Sequence, residues 1–179
     1  MFDLSKASIR VIGKKVLLLR DPQNEDDGPI VIPEQFRKYT AFGTVLQMGS
    51  RVADVKQGDR VIFHKNYTYL PFEQRRVAIT DAPTLIGVIE IENDVELVRP
   101  LGSYVVIEPE SRKKMAGEIE LPNEGEIVYG GIVMAAGPHC EEVEVGACVF
   151  YNHGLAIQCT CGQKTIHIIT EEHILCQIK

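Results

Sequence analysis

The chain of 179 residues is long enough for one domain or two small ones, and its 45% hydrophobic and 25% charged residues exclude wholesale disorder. Its net charge of -6 argues against general nucleic-acid binding, which requires a basic face. No apolar run is long enough to cross a membrane, and the first residues carry no apolar signal core. We therefore expect a cytoplasmic protein with reduced cysteines.

Short strands are the predicted elements throughout the chain. In chain order, the first half has runs rich in Val, Ile, Leu and Phe at residues 16–19, 44–46 and 60–63, separated by Gly, Asp, Asn and Pro. Runs of Val, Ile, Leu and Phe between turn residues are typical of β-strands. No window keeps a helical apolar period over roughly a dozen residues. Gly58-Asp59 is predicted to form a turn with unusual backbone angles.

A long loop separates the first two of these strands. It runs from Asp21 to Gly43, begins with an acidic stretch and ends with a basic, aromatic one. Between them lies the apolar tripeptide Ile30-Val31-Ile32, flanked by a proline on each side. The tripeptide is either an ordinary buried strand or an apolar anchor that binds a partner. The prolines count against a central strand, because proline has no N–H to donate to a ladder.

The second half of the chain repeats the first half block by block. Four blocks recur in the same order, with an offset of 89 residues for two of them (102 − 13 and 117 − 28) and 88 for the others (130 − 42 and 143 − 55). They begin at Gly13, Gly28, Phe42 and Val55, and again at Gly102, Gly117, Gly130 and Val143. A fifth block, ENDVELV near Glu92, is matched to EEHILCQI near Glu171. Their order and spacing indicate a tandem duplication.

The duplication predicts two all-β modules, over residues 1–98 and 99–179, with the joint near residues 97–100. About six short strands in each copy favour a small β-barrel, which hides the edges of its sheet. A module of this size buries little apolar surface and is only marginally stable alone. We therefore expect each module to associate with neighbouring modules.

The order of the blocks resembles that of the GroES-type co-chaperonins, the ring-shaped lids of chaperonin cages. Each copy has an opening strand, a long loop with Gly-x-Ile-x-[Ile/Leu], then Gly-x-Val-x-x-x-Gly, Val-x-x-Gly-x-x-Val-x-[Phe/Tyr] and a closing strand. The resemblance covers residues 9–98 and again 99–179. The block VKQGDRVIF alone also fits the related barrel of zinc-type alcohol dehydrogenases, so the specific signal is the order of all the blocks, twice over.

The resemblance implies a role for the long loop. In that family the loop is mobile in the free lid, and its apolar tripeptide docks as a short hairpin into a hydrophobic groove of the chaperonin's apical domain. The implied partner is a GroEL-type chaperonin in its ATP- or ADP-bound form, with unfolded client proteins enclosed indirectly. The matching chaperonin-binding residues are Ile30, Val31 and Ile32, then Ile119 and Leu121, with Glu120 in the middle of the second tripeptide.

The first departure from the family concerns the roof of the cage. The typical lid has an insertion that forms this roof, but here only GSRVADV occupies residues 49–55 and only GPHCEEV occupies residues 137–143. Either the roof is shallow or open, which suits a larger client, or these are tight loops with no consequence for clients.

The duplication itself is the second departure, because most members have one module per chain and close a sevenfold ring. Two modules per chain close evenly as three or four chains, or as seven chains in two stacked tiers. Residues 95–97, leading into 104–107, are expected to pair with a neighbouring module's last strand, as first strands do in single-module rings. A divergent bacterial or phage-encoded lid in the host cytoplasm fits better than a plastid double lid, because no transit peptide precedes Ile9.

Catalytic, cofactor and metal chemistry are not expected. All five cysteines lie in the second copy, and Cys159-x-Cys161 with His139, His153 or His167 could be imagined as a zinc site. The cysteine pair lacks the usual zinc spacing, however, and the first copy forms the same pattern without cysteine. His64 is expected to be a solvated turn histidine, because no Ser or Cys nucleophile pairs with it. No phosphate-cradling Gly-rich motif occurs.

Two functions therefore remain open. The favoured one is a non-enzymatic lid that caps a chaperonin, and the alternative is a structural assembly protein that builds a ring without binding a chaperonin. The intact first tripeptide favours the lid, whereas Glu120 favours the assembly protein. Proteolysis near Arg37, Lys38 and residues 112–114 that a chaperonin with nucleotide suppresses would indicate the lid.

Overall fold

The structure is a computed structural model that describes residues 9–21, 30–31, 40–70, 77–92, 95–110, 128–161 and 164–178. Within these ranges the chain forms β-strands and three 3-10 turns, and contains no α-helix. The strands are Lys15–Arg20 (β1), Ile30–Val31 (β2), Thr40–Met48 (β3), Arg60–His64 (β4), Thr68–Tyr69 (β5), Val77–Asp81 (β6), Leu85–Glu92 (β7), Val95–Pro100 (β8), Tyr104–Pro109 (β9), Val128–Ala136 (β10), Cys148–Asn152 (β11), Ile157–Cys161 (β12), Lys164–Thr170 (β13) and Ile174–Ile178 (β14). The all-β prediction is confirmed.

The strands form two seven-stranded sheets with the same internal order. The first sheet runs β5-β6-β1-β3-β4-β7-β8. The second runs β2-β12-β13-β9-β10-β11-β14, so that β12, β13, β9, β10, β11 and β14 repeat the order of β5, β6, β1, β3, β4 and β7. The prediction of two tandem modules is therefore confirmed, and each sheet carries one additional strand at one end.

Backbone geometry repeats along with the strand order. Gly13 and Gly102 have positive φ angles of 65° and 54°, and Gly58 and Gly146 have φ angles of 90° and 88°. Glycine adopts this region without the steric cost that other residues incur. The predicted turn at Gly58 is thus present, and it recurs at the equivalent position of the second module.

The closing block of the first module differs from the sequence prediction. The 3-10 turn Glu171–His173 and β14 correspond to the turn Ala82–Thr84 and β7, at an offset of 89 residues (171 − 82). The matching of ENDVELV to this block was wrong, because much of it lies in β8, which pairs antiparallel with β7. In ENDVELV, acidic residues precede apolar ones, as they do in EEHILCQI. The structural counterpart of EEHILCQI is APTLIGVI, which has no acidic residue. The predicted boundary between residues 98 and 99 falls within β8.

Each sheet buries the apolar side chains of one face in its own interior. Alternating residues of the strands supply these side chains, as expected for sheets with one buried face. The first interior contains Val16, Leu18, Val45, Val61, Phe63, Leu85 and Val88, and the second contains Val105, Ile107, Val133, Val149, Tyr151 and Ile169. The interiors are separate clusters, so each module has a small core of its own.

The loops at the position of the family's roof are tight turns. The Gly49 N–H donates to the carbonyl of Lys15 at 2.9 Å, and the Arg51 N–H donates to the carbonyl of Gly13 at 3.0 Å. The same pair of bonds recurs at the equivalent residues of the second module. Residues 49–59 and 137–147 contain no strand. The loops therefore close directly onto the turn that precedes the first strand of their own module.

This close approach leaves no space for a side chain at residue 49. A Cβ atom at Gly49 would collide with the backbone carbonyl of Gly13, whereas a Cβ atom at Gly58 would meet nothing within 4 Å. We expect Gly49→Ala to lower the free energy of unfolding by about 2–3 kcal/mol. The control Gly58→Ala incurs only the strain of its positive φ, about 1 kcal/mol. Urea unfolding followed by circular dichroism measures both values, and an equal cost would contradict the close-approach argument.

Candidate functional site at the joint between the modules

The two modules are joined by an antiparallel strand pair. Strand β8 pairs with β7 from Glu92 opposite Val95 to Gly87 opposite Pro100, and only residues 93–94 separate the two strands. Strand β7 is the last strand of the first module, and β8 immediately precedes the opening strand of the second. The predicted pairing with the last strand of a neighbouring module therefore occurs within one chain for residues 95–100, whereas residues 104–107 pair with β10 and β13 of their own module.

An apolar cluster shared by both modules lies beside this strand pair. Its first-module members come from β4 and β7, its second-module members come from β9, β12 and β13, and β8 contributes one residue between them. The buried members are Ile62, Ile86, Ile89, Val98, Val106, Ile157, Cys159, Ile166 and Ile168. Because side chains of both modules pack together in one buried cluster, the hydrophobic effect holds the two sheets against each other.

A polar contact crosses the joint next to the apolar cluster. The Nε2 atom of His64 lies 2.7 Å from the Tyr104 hydroxyl, at hydrogen-bond distance. Burial, and secondarily the nearby Glu172 carboxylate, raise the pKa of Tyr104. His64 is thus a partly buried residue of β4 and not the solvated turn histidine that the sequence predicted. No pattern in the sequence indicates its partner, which lies 40 residues away.

The first long loop contributes a strand to the second module. Ile30 and Val31 form β2, which pairs antiparallel with β12 so that Val31 is opposite Thr160 and Ile30 is opposite Cys161. The remaining predicted chaperonin-binding residues, Ile32, Ile119 and Leu121, lie outside the described residues. The structure therefore assigns a backbone partner to two positions of the first tripeptide.

The beginning and end of this loop are held at the first sheet. The Asp21 N–H donates to the carbonyl of Phe42 at 3.0 Å, and the Arg60 guanidinium lies 3.0 Å from the Asp21 carboxylate. Both charged side chains are about one-third exposed, so this ion pair contributes little to stability. Its effect is to fix the point where the loop leaves β1.

The second module exposes the apolar face that the first module buries at the joint. This outer face consists of Ile132, Cys148, Phe150, Cys176 and Ile178, which neighbour one another across β10, β11 and β14. Ile132, Phe150 and Ile178 are 45%, 39% and 53% exposed. At an offset of 88 or 89 residues, Phe150 and Ile178 correspond to Ile62 and Ile89, which are 0% and 8% exposed.

The residues considered for zinc binding have other surroundings. Cys159 is fully buried in the shared apolar cluster. His167 is buried, and its Nδ1 atom lies 2.7 Å from the hydroxyl of Tyr151, while His153 stacks on the ring of Tyr129 at 4.2 Å. Within the described ranges, no three His, Cys, Asp or Glu residues are grouped so that they could hold a metal ion.

The buried imidazole of His167 makes the second module sensitive to acid. Burial, and secondarily the proximity of His153, lower the pKa of His167 to about 4 from 6.5. In the unfolded chain the imidazole regains its ordinary pKa, so between pH 6.5 and 4 the unfolded state binds the proton more readily. The contribution of neutral His167 to stability is therefore complete above pH 6.5 and is lost as the pH falls toward about 4.

We expect His167→Gln to flatten this pH dependence, because Gln does not titrate and can still hydrogen-bond Tyr151. Between pH ~7 and ~4.5 the original chain should lose about 2–3 kcal/mol more unfolding free energy than the variant. Urea unfolding at a series of pH values measures the difference. The control is His139→Gln on the surface. If both substitutions flatten the profile equally, the assignment to His167 is wrong.

Comparison with protein families gives two matches along the chain. The profile described as the chaperonin 10 Kd subunit matches residues 8–89 and again residues 97–178. The offset of 89 residues (97 − 8) equals the offset between β7 and β14. A search of curated proteins found no match. No helix within the described ranges could span a membrane. The chain belongs to the chaperonin 10 Kd subunit family, the GroES-type co-chaperonins, and carries that family's module twice.

Proposed function

We propose that this protein caps a GroEL-type chaperonin in a nucleotide-dependent way and so assists the folding of enclosed client proteins. The family match along nearly the whole chain is the observation that carries this proposal. Chaperonin binding is assigned to Ile30, Val31 and Ile32 of the first loop and to Ile119 and Leu121 of the second. No catalytic residue is assigned, and the co-chaperonin family is not enzymatic.

The composition of the first loop suits reversible binding. Its acidic and amide side chains favour solvation, while the tripeptide offers apolar surface. Burying two isoleucine side chains contributes about 3–6 kcal/mol before the cost of ordering the loop is subtracted. One loop alone therefore binds weakly. Several loops presented by one assembly would bind with much higher avidity.

The outer face of the second module supports an assembly of several chains. Its counterpart in the first module is buried against the second module, and β14 is an end strand of its sheet, as β7 would be without β8. A neighbouring chain can supply the same two elements with its own first module. In the sequence, residues 6–11 correspond to β8 at an offset of 89 residues.

The first module carries apolar residues that match those of the second module at the joint. Leu17, Val77 and Ile79 occupy the positions of Val106, Ile166 and Ile168, again at an offset of 89 residues. They form a cluster with Ile9 and Val11, which precede β1. Leu17 and Val77 are already 3% and 2% exposed in the single chain, so the first module packs them on the outer face of the next chain only where residues 9–11 are displaced.

Repetition of the joint from chain to chain leads to a ring. Such head-to-tail contacts close when the rotation between neighbours divides a full turn evenly. Three or four chains would give an even ring of modules, and seven chains in two tiers is the other arrangement consistent with two modules per chain. The mass of the assembly distinguishes these possibilities.

The double substitution Ile30→Asp with Ile32→Asp tests the first loop. We expect it to abolish nucleotide-dependent binding to the chaperonin and to leave the fold intact, because each carboxylate would have to be desolvated in an apolar groove. Size-exclusion chromatography with mass detection, with and without chaperonin and ATP or ADP, measures binding.

The matched variant is Ile119→Asp with Leu121→Asp in the second loop, which shows whether both loops contribute. Undiminished binding by the first-loop variant would contradict the assignment. A stable multi-chain assembly that ignores the chaperonin under every nucleotide condition would favour the structural assembly protein.

Phe150→Arg tests the outer face. We expect this variant to fold and to remain a single chain, because a buried guanidinium without a partner would destabilise the contact between chains. The control Leu155→Arg changes a residue that is 52% exposed and lies outside this face. Mass detection should show an assembly for the control and one chain for Phe150→Arg. Equal masses would contradict the role of this face.

A further inference from the structure

The edge of β12 is the position where the first loop contacts the second module. Strand β12 would be the end strand of the second sheet if β2 did not pair with it. It has five residues and contains no proline. An end strand of this kind presents unpaired N–H and C=O groups to any extended segment within reach. The segment that occupies it contains two of the three positions of the first tripeptide.

The corresponding edge of the first module is a poorer template. Strand β5 has only the two residues Thr68 and Tyr69, and Pro71 follows soon after it. Proline cannot donate to a ladder, so pairing along this edge could not extend far. The two modules therefore differ in their capacity to accept an added strand, although their strand orders are the same.

We propose that β12 is a docking edge for the first loop, and that this pairing holds the tripeptide away from a partner until the partner displaces it. The holding role rests on the proposed function, whereas the docking edge does not. The backbone of Ile30 and Val31 cannot lie against β12 and also form a hairpin in a groove of the chaperonin. Binding through the first loop therefore requires its release.

The short length of the pairing keeps this release easy. Only two residue pairs are formed, so few hydrogen bonds are lost when β2 leaves β12. When a segment binds only in its released form, its apparent affinity falls in proportion to the fraction that is released. The docking edge thus lowers the apparent affinity of the first loop for its partner but does not abolish binding.

A disulfide test detects the docked form without any chaperonin. Neighbouring pairs of an antiparallel ladder alternate between hydrogen-bonded and non-hydrogen-bonded, and their Cα separations lie within the range that a disulfide spans. One variant is Ile30→Cys, which stands opposite native Cys161. The other is Val31→Cys with Thr160→Cys and Cys161→Ser. Both also carry Cys148→Ser and Cys176→Ser, which remove the exposed thiols.

Under mild oxidation we expect at least one variant to form the expected disulfide within one chain in most molecules, as identified by peptide mass. The matched control places the cysteine in the second loop, as Glu120→Cys with Thr160→Cys and Cys161→Ser, because residue 120 is the counterpart of residue 31. The control should form this disulfide at least tenfold more slowly. Equal rates, or a disulfide between two chains, would overturn the docking edge.

The holding role is tested with the Val31→Cys and Thr160→Cys variant, which retains Ile30 and Ile32. Ile119→Asp and Leu121→Asp are added so that only the first loop is measured. We expect the oxidised protein to bind the chaperonin at least tenfold more weakly than the reduced protein, with recovery after reduction.

Equal binding by the two forms would overturn the holding role. If the reduced protein and the original chain both fail to bind, the proposed function and the holding role fail together. The disulfide rates still decide the docking edge in that case.

Discussion

The apolar contact between the two modules is the constraint on which the rest of the structure depends. Each module has its own interior, but both interiors are small, and a further buried cluster contains side chains of both sheets. Ile62 and Ile168, from different modules, are both fully buried in it. A module separated from its neighbour would expose this surface to water, and small domains have little stability in reserve.

Strand exchange between the copies reinforces this contact. Strand β8 ends the first sheet although it leads into the second module, and β2 ends the second sheet although it belongs to the loop of the first. Each sheet thus has one of its edges covered by a strand that comes from the other copy. The two additions differ in kind, because β8 pairs along six residues and β2 along only two. The first defines the joint, and the second is the part that a partner displaces in the proposed docking role.

Much of the fold could be predicted from the sequence, because local chemistry repeats in it. Apolar runs between turn residues predicted the strands, and Gly58 predicted a positive φ angle that recurs at Gly146. The closing block was mismatched because pattern alone cannot distinguish β8 from the true last strand. The bond between His64 and Tyr104 depends on the approach of two modules, which no local pattern encodes. Pairing of β2 with β12 uses backbone groups that every residue shares, so no side-chain signature could predict it.

The hairpin of β7 and β8 also has a consequence for how the protein forms. In a lid made of separate single-module chains, an edge strand like β7 stays unpaired until another chain binds to it. Here its partner follows after residues 93–94 and is therefore synthesised almost at once. Contacts this close in sequence form quickly because little loop entropy is lost. One of the two module contacts that each chain makes in the proposed ring would then be independent of dilution, and only the other would depend on how many chains the cell contains.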